Sequence, residues 1–446
     1  MKNIHRIVVL ALIAGASTAG AQQTLPPLRP LGPALAASDE PMSSVSQVRA
    51  LPDGRVIVHD LTGRRVLMFD STFKHVTVIA DTTGATANAY GSRLGGLIAY
   101  RGDSTLFVDP QSISMLVIDP NGKIVRTMAA PLPNEVNALI GGQNGTPGFD
   151  PRGRLVYRSQ FRLAPSAFPR GGGGRFELPQ QPDSSYVVRV DLKTRKVDTA
   201  AVFRIPKITL NMTSDDNGRV MITPTVNPIP WTDDWALLSD GTLAVVRGQD
   251  YRVDFVSLDG KFTQGPKMPF DWQRLSDDDK TRIIDSTKTA MEKLRDAQLA
   301  QMAAANPEAA KADSASKAGG RQRTQPDGGN VTITFQGRGG GPGGPTGPIG
   351  FTLPAIQFVT PNEMPDYRPA FRQGAARGDA DGNLWIRTSK VSASGTEYDV
   401  IDNKGELKDR VVVPSGRVVA GFGPGGMVYM GVLDGMTTRL ERARMR

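Results

Sequence analysis

The run Leu238–Ser239–Asp240–Gly241–Thr242–Leu243–Ala244–Val245–Val246, with Asp254–Phe255–Val256 and Leu258–Asp259–Gly260–Lys261 behind it, decides the fold. Two Asp-Gly turns bracket runs of strand-forming residues. Asp bonds its own backbone in such a turn, and Gly takes positive φ without steric cost. Asp-Gly between alternating apolar runs is a strong short-range hairpin signal. One copy would say little, but the unit recurs. Its first turn reappears at Pro52–Asp53–Gly54, Arg101–Gly102–Asp103, Pro151–Arg152–Gly153, Asp381–Gly382–Asn383 and Pro424–Gly425–Gly426. A strand-like run follows each, as in Arg55–Val56–Ile57–Val58 and Leu384–Trp385–Ile386. The second turn reappears at Asp70–Ser71, Asp119–Pro120–Asn121–Gly122–Lys123, Asp191–Leu192–Lys193 and Asp402–Asn403–Lys404–Gly405.

Units with two turns read as four-stranded antiparallel modules. Where no insertion intervenes they repeat at about 40–50 residues, the spacing of propeller blades. The gap from Gly153 to Asp240 is wider and holds the polar loop around Pro169–Arg170. The gap from Asp240 to Asp381 is wider still. Leu238–Leu243 with Leu258–Lys261, and Asp379–Trp385 with Ile401–Gly405, carry a resemblance to the six-bladed β-propellers of the NHL and TolB-like group. The resemblance covers most of residues 40–445 and implies an all-β fold. It speaks to architecture rather than to chemistry, because propellers host many functions. The last unit is one strand short after Thr437–Leu440. The missing strand would come from residues 24–45, where Pro26, Pro27, Pro30 and Pro33 argue against a regular ladder.

The chain has 446 residues and no Cys, which excludes disulfides, thiolate metal sites and a cysteine nucleophile. Three His leave little room for a multi-histidine metal centre. Lys2 and Arg6, the apolar run Ile7–Ala14 and the small residues Ala19–Gly20–Ala21 read as a cleavable secretory signal over 1–21. The rival reading is an uncleaved anchor, but the apolar run is shorter than the roughly 20 residues a membrane helix needs. Cleavage would remove two cations and no acid, taking the net charge from +9 to +7. The expected organisation is a signal at 1–21, a Pro-rich segment at 22–40 and the propeller at 41–446. Localisation is expected to be periplasmic or secreted, with no membrane span, and the protein monomeric.

An insertion is expected at 273–350. Ser276–Asp279 opens a helix over 276–303, with Ser276 as cap and carboxylates at the positive helix end. Ile284, Met291 and Leu294 mark its apolar face, which packs on the outer ring or meets a partner. From Gly319 to Gly350, 12 of 32 residues are Gly, a composition that predicts disorder across 307–350. Val331–Phe335 is a short strand candidate inside it. Gly339–Gly344 lacks the Lys-Ser/Thr ending of a phosphate loop.

Propellers usually bind ligands on the face opposite the Asp-Gly turns that begin each unit. The residues just past each second strand are His59 with Asp60, Asp109, Arg158, Arg247 and Arg387. Around one ring they would form a charged collar at the channel mouth. Three guanidinium forks there would favour an anionic group; the bland alternative is that strand ends are charged because they meet water. Trp231 and Trp235, flanking Asp233–Asp234, fit a ligand wall or a core plug. His59 and Asp60 are adjacent on a strand and point to opposite faces, and no G-x-S-x-G elbow is present. Calcium would need only oxygen ligands, for which Asp109, Asn137 and Asp233 are candidates. No aromatic-interleaved basic stripe suggests nucleic acid. The leading expectation is an exported module binding an anionic ligand or a protein on its loop face, with no cofactor evident. The alternative is a calcium-dependent hydrolase of lactonase type in the central channel. A structural role for the insertion is a third. Export predicts that the protein recovered from its native host begins at Gln22, which intact-mass measurement checks; an N-terminus at Met1 would overturn it.

Overall fold

A computed structural model describes residues 25–82, 89–91, 94–159, 182–206, 209–214, 220–305, 331–335, 349–353 and 356–445. Two short strands come first, β1 (Leu28–Pro30) and β2 (Ala34–Ala37). Blade 1 follows, with β3 (Val45–Ala50), β4 (Val56–Asp60), β5 (Arg65–Phe69) and β6 (Val76–Ala80). Blade 2 holds β7 (Gly96–Ala99), β8 (Thr105–Asp109), β9 (Ser114–Ile118) and β10 (Ile124–Ala129). Blade 3 holds β11 (Gly148–Phe149), β12 (Leu155–Arg158), β13 (Ser184–Val190) and β14 (Val197–Arg204). A side sheet begins with β15 (Thr209–Ser214) and β16 (Val220–Val226). Blade 4 is β17 (Asp234–Leu237), β18 (Leu243–Arg247), β19 (Arg252–Val256) and β20 (Phe262–Lys267). Helix α1 (Asp277–Ala305), the hairpin β21 (Val331–Phe335) and β22 (Ile349–Leu353), and β23 (Gln357–Phe358) lead to blade 5. Blade 5 is β24 (Phe371–Gly378), β25 (Leu384–Ser392), β26 (Gly395–Ile401) and β27 (Leu407–Pro414). Blade 6 is β28 (Arg417–Gly423), β29 (Met427–Asp434) and β30 (Thr437–Arg444), completed by β2.

This is a six-bladed β-propeller. Each blade is an antiparallel meander, as in β17–β18–β19–β20, where Leu237 faces Leu243 and Leu243 faces Val256. The turns read from sequence stand at both ends of this blade. Gly241 and Gly260 take φ of 83° and 81°, which other residues adopt only with strain.

The core lies between blades. Phe69 and Val56 of blade 1 pack with Tyr429 and Leu440 of blade 6. Ile57 and Met68 of blade 1 meet Phe107 and Leu97 of blade 2. The remaining seams are Val108 with Tyr157, Val156 with Trp235, Tyr251 with Phe371, and Val400 with Val428. Six seams joining neighbours in order close the ring.

Closure comes from the N-terminus, as one sequence option held, and the prolines do not prevent it. β2 pairs antiparallel with β30, Ala34 opposite Ala443, and carries no Pro. β1 pairs parallel with β27 as a fifth, outermost strand of blade 5, with Pro30 opposite Val412. An edge strand tolerates Pro because its outward N–H needs no partner. Between the two strands, Leu31 is buried against Trp385 and Val413.

Ser276 caps α1: the Asp279 N–H donates to Ser276 Oγ (3.2 Å), and the Ser276 N–H donates back to Asp279 Oδ2 (3.0 Å). Leu275, Ile283 and Ile284 pack on Ile229 and Met364, and Lys280 Nζ reaches Asp366 (2.9 Å). Of the expected apolar face, Ile284 is packed here, Met291 is half-buried and Leu294 is exposed. Val331–Phe335 is a strand, paired with Ile349–Leu353. Residues 1–24, 160–181, 306–330 and 336–348, which hold the signal, the Pro169–Gly174 loop and most of the Gly-rich run, lie outside the described residues. Among the described residues no helix is long and apolar enough to cross a membrane.

Leu31→Ala should lower stability by roughly 2–5 kcal/mol, the usual cost of deleting a buried Leu. Urea unfolding with an unchanged m-value checks this; a loss under about 0.5 kcal/mol, the range of an ordinary surface substitution, would mean that the N-terminal strands do not lock the ring.

Candidate functional site

The innermost strands β3, β7, β11, β24 and β28 line a channel of about 600 Å³. It extends from Ser46, Leu61 and Leu94 on the loop face to Ala99, Asp379 and Phe422 on the Asp-Gly face. A 3-10 segment, Pro133–Ile140, contributes Ile140 to its wall. Gln47 holds this segment in place: its Nε2 donates to the Ile140 carbonyl (2.6 Å) and its Oε1 accepts from the Leu97 N–H (2.7 Å). Blade 4 is absent from the lining because its inner strand β17 packs against β24. Asp234 Oδ2 accepts from the Ala376 N–H (2.9 Å), and Gly378 comes so near the Leu237 carbonyl that a Cβ would stand 2.3 Å from it. Burial raises the Asp234 carboxyl to about 7, against these hydrogen bonds and the Arg158 cation.

Two arginines face the channel, Arg49 on β3 and Arg377 on β24. Arg377 Nη1 donates to the Val419 carbonyl (2.9 Å), and Arg49 Nη1 donates to the Ala50 carbonyl beside it. Arg49 Nε is buried without a hydrogen-bond partner. Neither guanidinium has a carboxylate within ion-pair distance among the described residues. Burial lowers both pKa values, with the Asp103 charge partly opposing this at Arg49. The channel's own carboxylate, Asp379, is occupied: it accepts from the N–H groups of Asp381 and Asn383, from Asn383 Nδ2 and from Trp385 Nε1.

The strand-end residues do not form one collar. His59 is 1% exposed and sits in the seam between blades 1 and 2, its ring 5.2 Å from Phe107 and 6.4 Å from Tyr90. Both faces of β4 are covered by neighbours, so its end does not meet solvent. Asp109 is also interior; it accepts from the N–H groups of Gly91 and Gln111 and from Ser112 Oγ, which folds the turn after β8. Arg158 lies over the Phe203 ring (5.2 Å), and its Nε donates to Ser185 Oγ (3.3 Å). Arg387 is exposed, and its charge acts on Arg377 of the channel wall. Trp235 is a core plug and not a ligand wall: it is fully buried and its Nε1 donates to the Asn144 carbonyl (2.9 Å).

Three of the chosen residues do meet. Trp231, Asp233 and Arg247 line one cleft of about 390 Å³ between blades 3 and 4. There Arg247 bridges Asp233 (2.8 Å) and Asp254 (2.7 Å), so its charge is neutralised within the protein. Asp233 also accepts from the N–H groups of Arg204 and Gly248.

Calcium takes six to eight oxygen ligands. Asp109 in blade 2 and Asp233 in blade 4 do not converge, and both carboxylates are engaged by hydrogen-bond donors. Asn137 is exposed on the 3-10 segment. Among the described residues no three His, Asp or Glu side chains are grouped to hold a metal. These residues do not fit a calcium centre. What the strand-end reading missed was the inner strand. Val45–Ser–Gln–Val–Arg–Ala50 carries polar residues where most sister strands are apolar, and that contrast marks a polar stretch of the channel wall.

No protein-family model matches the chain, and no curated protein matches it in sequence. Among solved structures the chain is similar to regucalcin, a calcium-binding protein from Agrobacterium tumefaciens, at 13% identity over 95% of this chain and 98% of that one, with a TM-score of 0.40. It is similar to the PQQ-bound form of aldose sugar dehydrogenase from Streptomyces coelicolor at 11% identity, over 94% and 100%, with a TM-score of 0.37. A putative gluconolactonase gives 12% identity over 95% and 99%, with a TM-score of 0.33. No residue role is carried over from them.

His59 yields a pH prediction. Burial lowers its pKa from 6.5 to about 4, although the Asp60 charge and the Gly95 backbone pull upward. Between pH 6.5 and 4 the unfolded chain binds a proton that the native state refuses, so stability rises with pH across that window. Wild type should lose roughly 3 kcal/mol between pH 7 and 4 that His59→Leu does not lose. Denaturation of both at a series of pH values checks this; parallel profiles would refute it.

Proposed function

We propose that this protein binds a small organic anion, such as a carboxylate, inside the central channel. The carrying observation is the pair Arg49 and Arg377, two guanidinium groups without carboxylate partners on the wall of one cavity. A buried charge is costly unless it is paired. Arginine also presents a rigid fork that matches carboxylate geometry. A bound anion would supply the missing counter-charge to both, and the Gly- and Ala-rich lining leaves it room. The expected anionic ligand thus moves from the strand-end arginines to the inner wall. Export after cleavage near Ala21 and membership in the NHL and TolB-like group belong to the same proposal. They rest on the signal-like residues 2–21 and on the recurrent Asp-Gly turns.

Lactone hydrolysis in the channel is the second reading. Opening a lactone ring creates a carboxylate, so the same two arginines would hold the product. The residues first considered for calcium do not supply a metal centre for it, and no metal step is derived.

Thermal shift with gluconate, succinate and phosphate tests the binding. A ligand at about 100 times its Kd adds about 2.7 kcal/mol of stability. At least one of these anions should raise Tm in the wild type and fail to do so in Arg49→Gln and Arg377→Gln. Without ligand, Arg377→Met should be at least as stable as wild type, because it removes an unpaired charge. No shift with any anion, or a shift that survives both substitutions, would overturn the reading. Turnover of glucono-lactone, lost in the same variants, would favour the hydrolase.

A further inference from the structure

We propose that the cleft between blades 3 and 4 is a separate binding site for a neutral sugar. The cleft of about 390 Å³ adjoins a second cavity of about 440 Å³, and Asp183, Arg204 and Trp231 line both. Each lobe falls within the usual 300–1,000 Å³ of small-molecule pockets. Trp231 stands where they meet. Its ring is half-buried and packed against Trp272, with centroids 5.8 Å apart. An indole offers a broad apolar face, and the C–H face of a pyranose is its natural partner.

The charges here differ in kind from those of the channel. The lining of the first lobe carries three Arg and three Asp, so no net field selects an ion. Most of them are locked together. Arg247 bridges Asp233 and Asp254, Arg252 pairs with Asp254 (3.1 Å) and with Asp250, and Lys267 also reaches Asp250 (2.9 Å). This network fixes the wall before any ligand arrives, so little ordering is left for binding to impose. Three charged groups lie outside this network: Arg204 and Asp183, which line both lobes, and Glu363 of the second lobe, whose carboxylate accepts from the Thr360 N–H and hydroxyl (2.8 Å each). Arg204 donates to Gln249 Oε1 (3.2 Å) and to no carboxylate, and Asp183 has no ion-pair partner among the described residues. A sugar hydroxyl both donates and accepts. A cationic donor, an anionic acceptor and an amide beside one aromatic face can engage several hydroxyls of one ring, and hydrogen bonds to charged groups are the strong ones. An anion would meet Asp183, and a cation would meet Arg204.

Titration calorimetry with glucose, galactose, N-acetylglucosamine and the disaccharides maltose and cellobiose tests this. At least one should bind. Trp231→Ala should weaken it at least tenfold, about 1.4 kcal/mol. Trp231→Phe should retain part of the affinity, and Asp183→Asn and Gln249→Ala should each weaken it. Arg49→Gln and Arg377→Gln should leave it unchanged, which separates this site from the channel. If Trp231→Ala does not fold, the Asp183 and Gln249 variants carry the test. Binding of none of these sugars, binding indifferent to the cleft variants, or a preference for glucuronate over glucose would overturn the proposal.

Discussion

The whole molecule depends on the seam between neighbouring blades. A four-stranded sheet has two faces, and here most blades are covered on both by the blades beside them. Val56, Ile57 and Val58 are all fully buried, as are Leu243, Ala244 and Val246, although successive residues on a strand point in opposite directions. The middle strands therefore read as unbroken apolar runs. Polar residues are displaced to the turns, to the outer strands and to the inner wall. A ring of such seams is stable only if it closes, so blade 6 needs a fourth strand. The chain takes that strand from its own beginning and ties β1 to blade 5 for good measure, with Leu31 in the seam between them.

The same constraint explains what could be read from sequence. The Asp-Gly turns are local devices: Asp70, Asp119, Asp191 and Asp402 each accept backbone N–H bonds from residues two to five positions on. Nothing distant is needed to recognise them, and so the blades were legible. The closing strand was harder to read. The pairing of Ala34 with Ala443 spans almost the whole chain, and the prolines around it mask a segment whose paired residues are all Ala.

The channel wall was partly legible for a different reason. Reading the end of each second strand assumes that strand ends reach solvent at the rim. In blades 1 and 2 they do not, because His59 is drawn into the seam while Asp60 and Asp109 are buried and used to fold the loops above it. Asp60 accepts the N–H groups of Ser43, Ser44 and Gly63 and pairs with Arg65 (3.2 Å). In blade 4 the assumption holds, and Trp231, Asp233 and Arg247 share a cleft. Sequence alone cannot say which blade behaves in which way. It does record that Ser46, Gln47 and Arg49 interrupt an inner strand whose counterpart in blade 2 is Gly-Leu-Ile-Ala.

Where the charges are paired, and where they are not, separates the two proposed sites. At the rim several arginines meet carboxylates, among them Arg65 with Asp60 (3.2 Å) and Arg410 with Glu397 (3.0 Å). Such pairs hold loops and add modestly to stability. Inside the channel Arg49 and Arg377 have no carboxylate within ion-pair distance among the described residues, and burial there makes an unpaired cation more expensive. In the cleft the arrangement differs: Arg204, held by Gln249, and Asp183 line both lobes beside an indole, one cation against one anion. Under the two proposals the channel selects charge, and the cleft selects shape and hydrogen bonding.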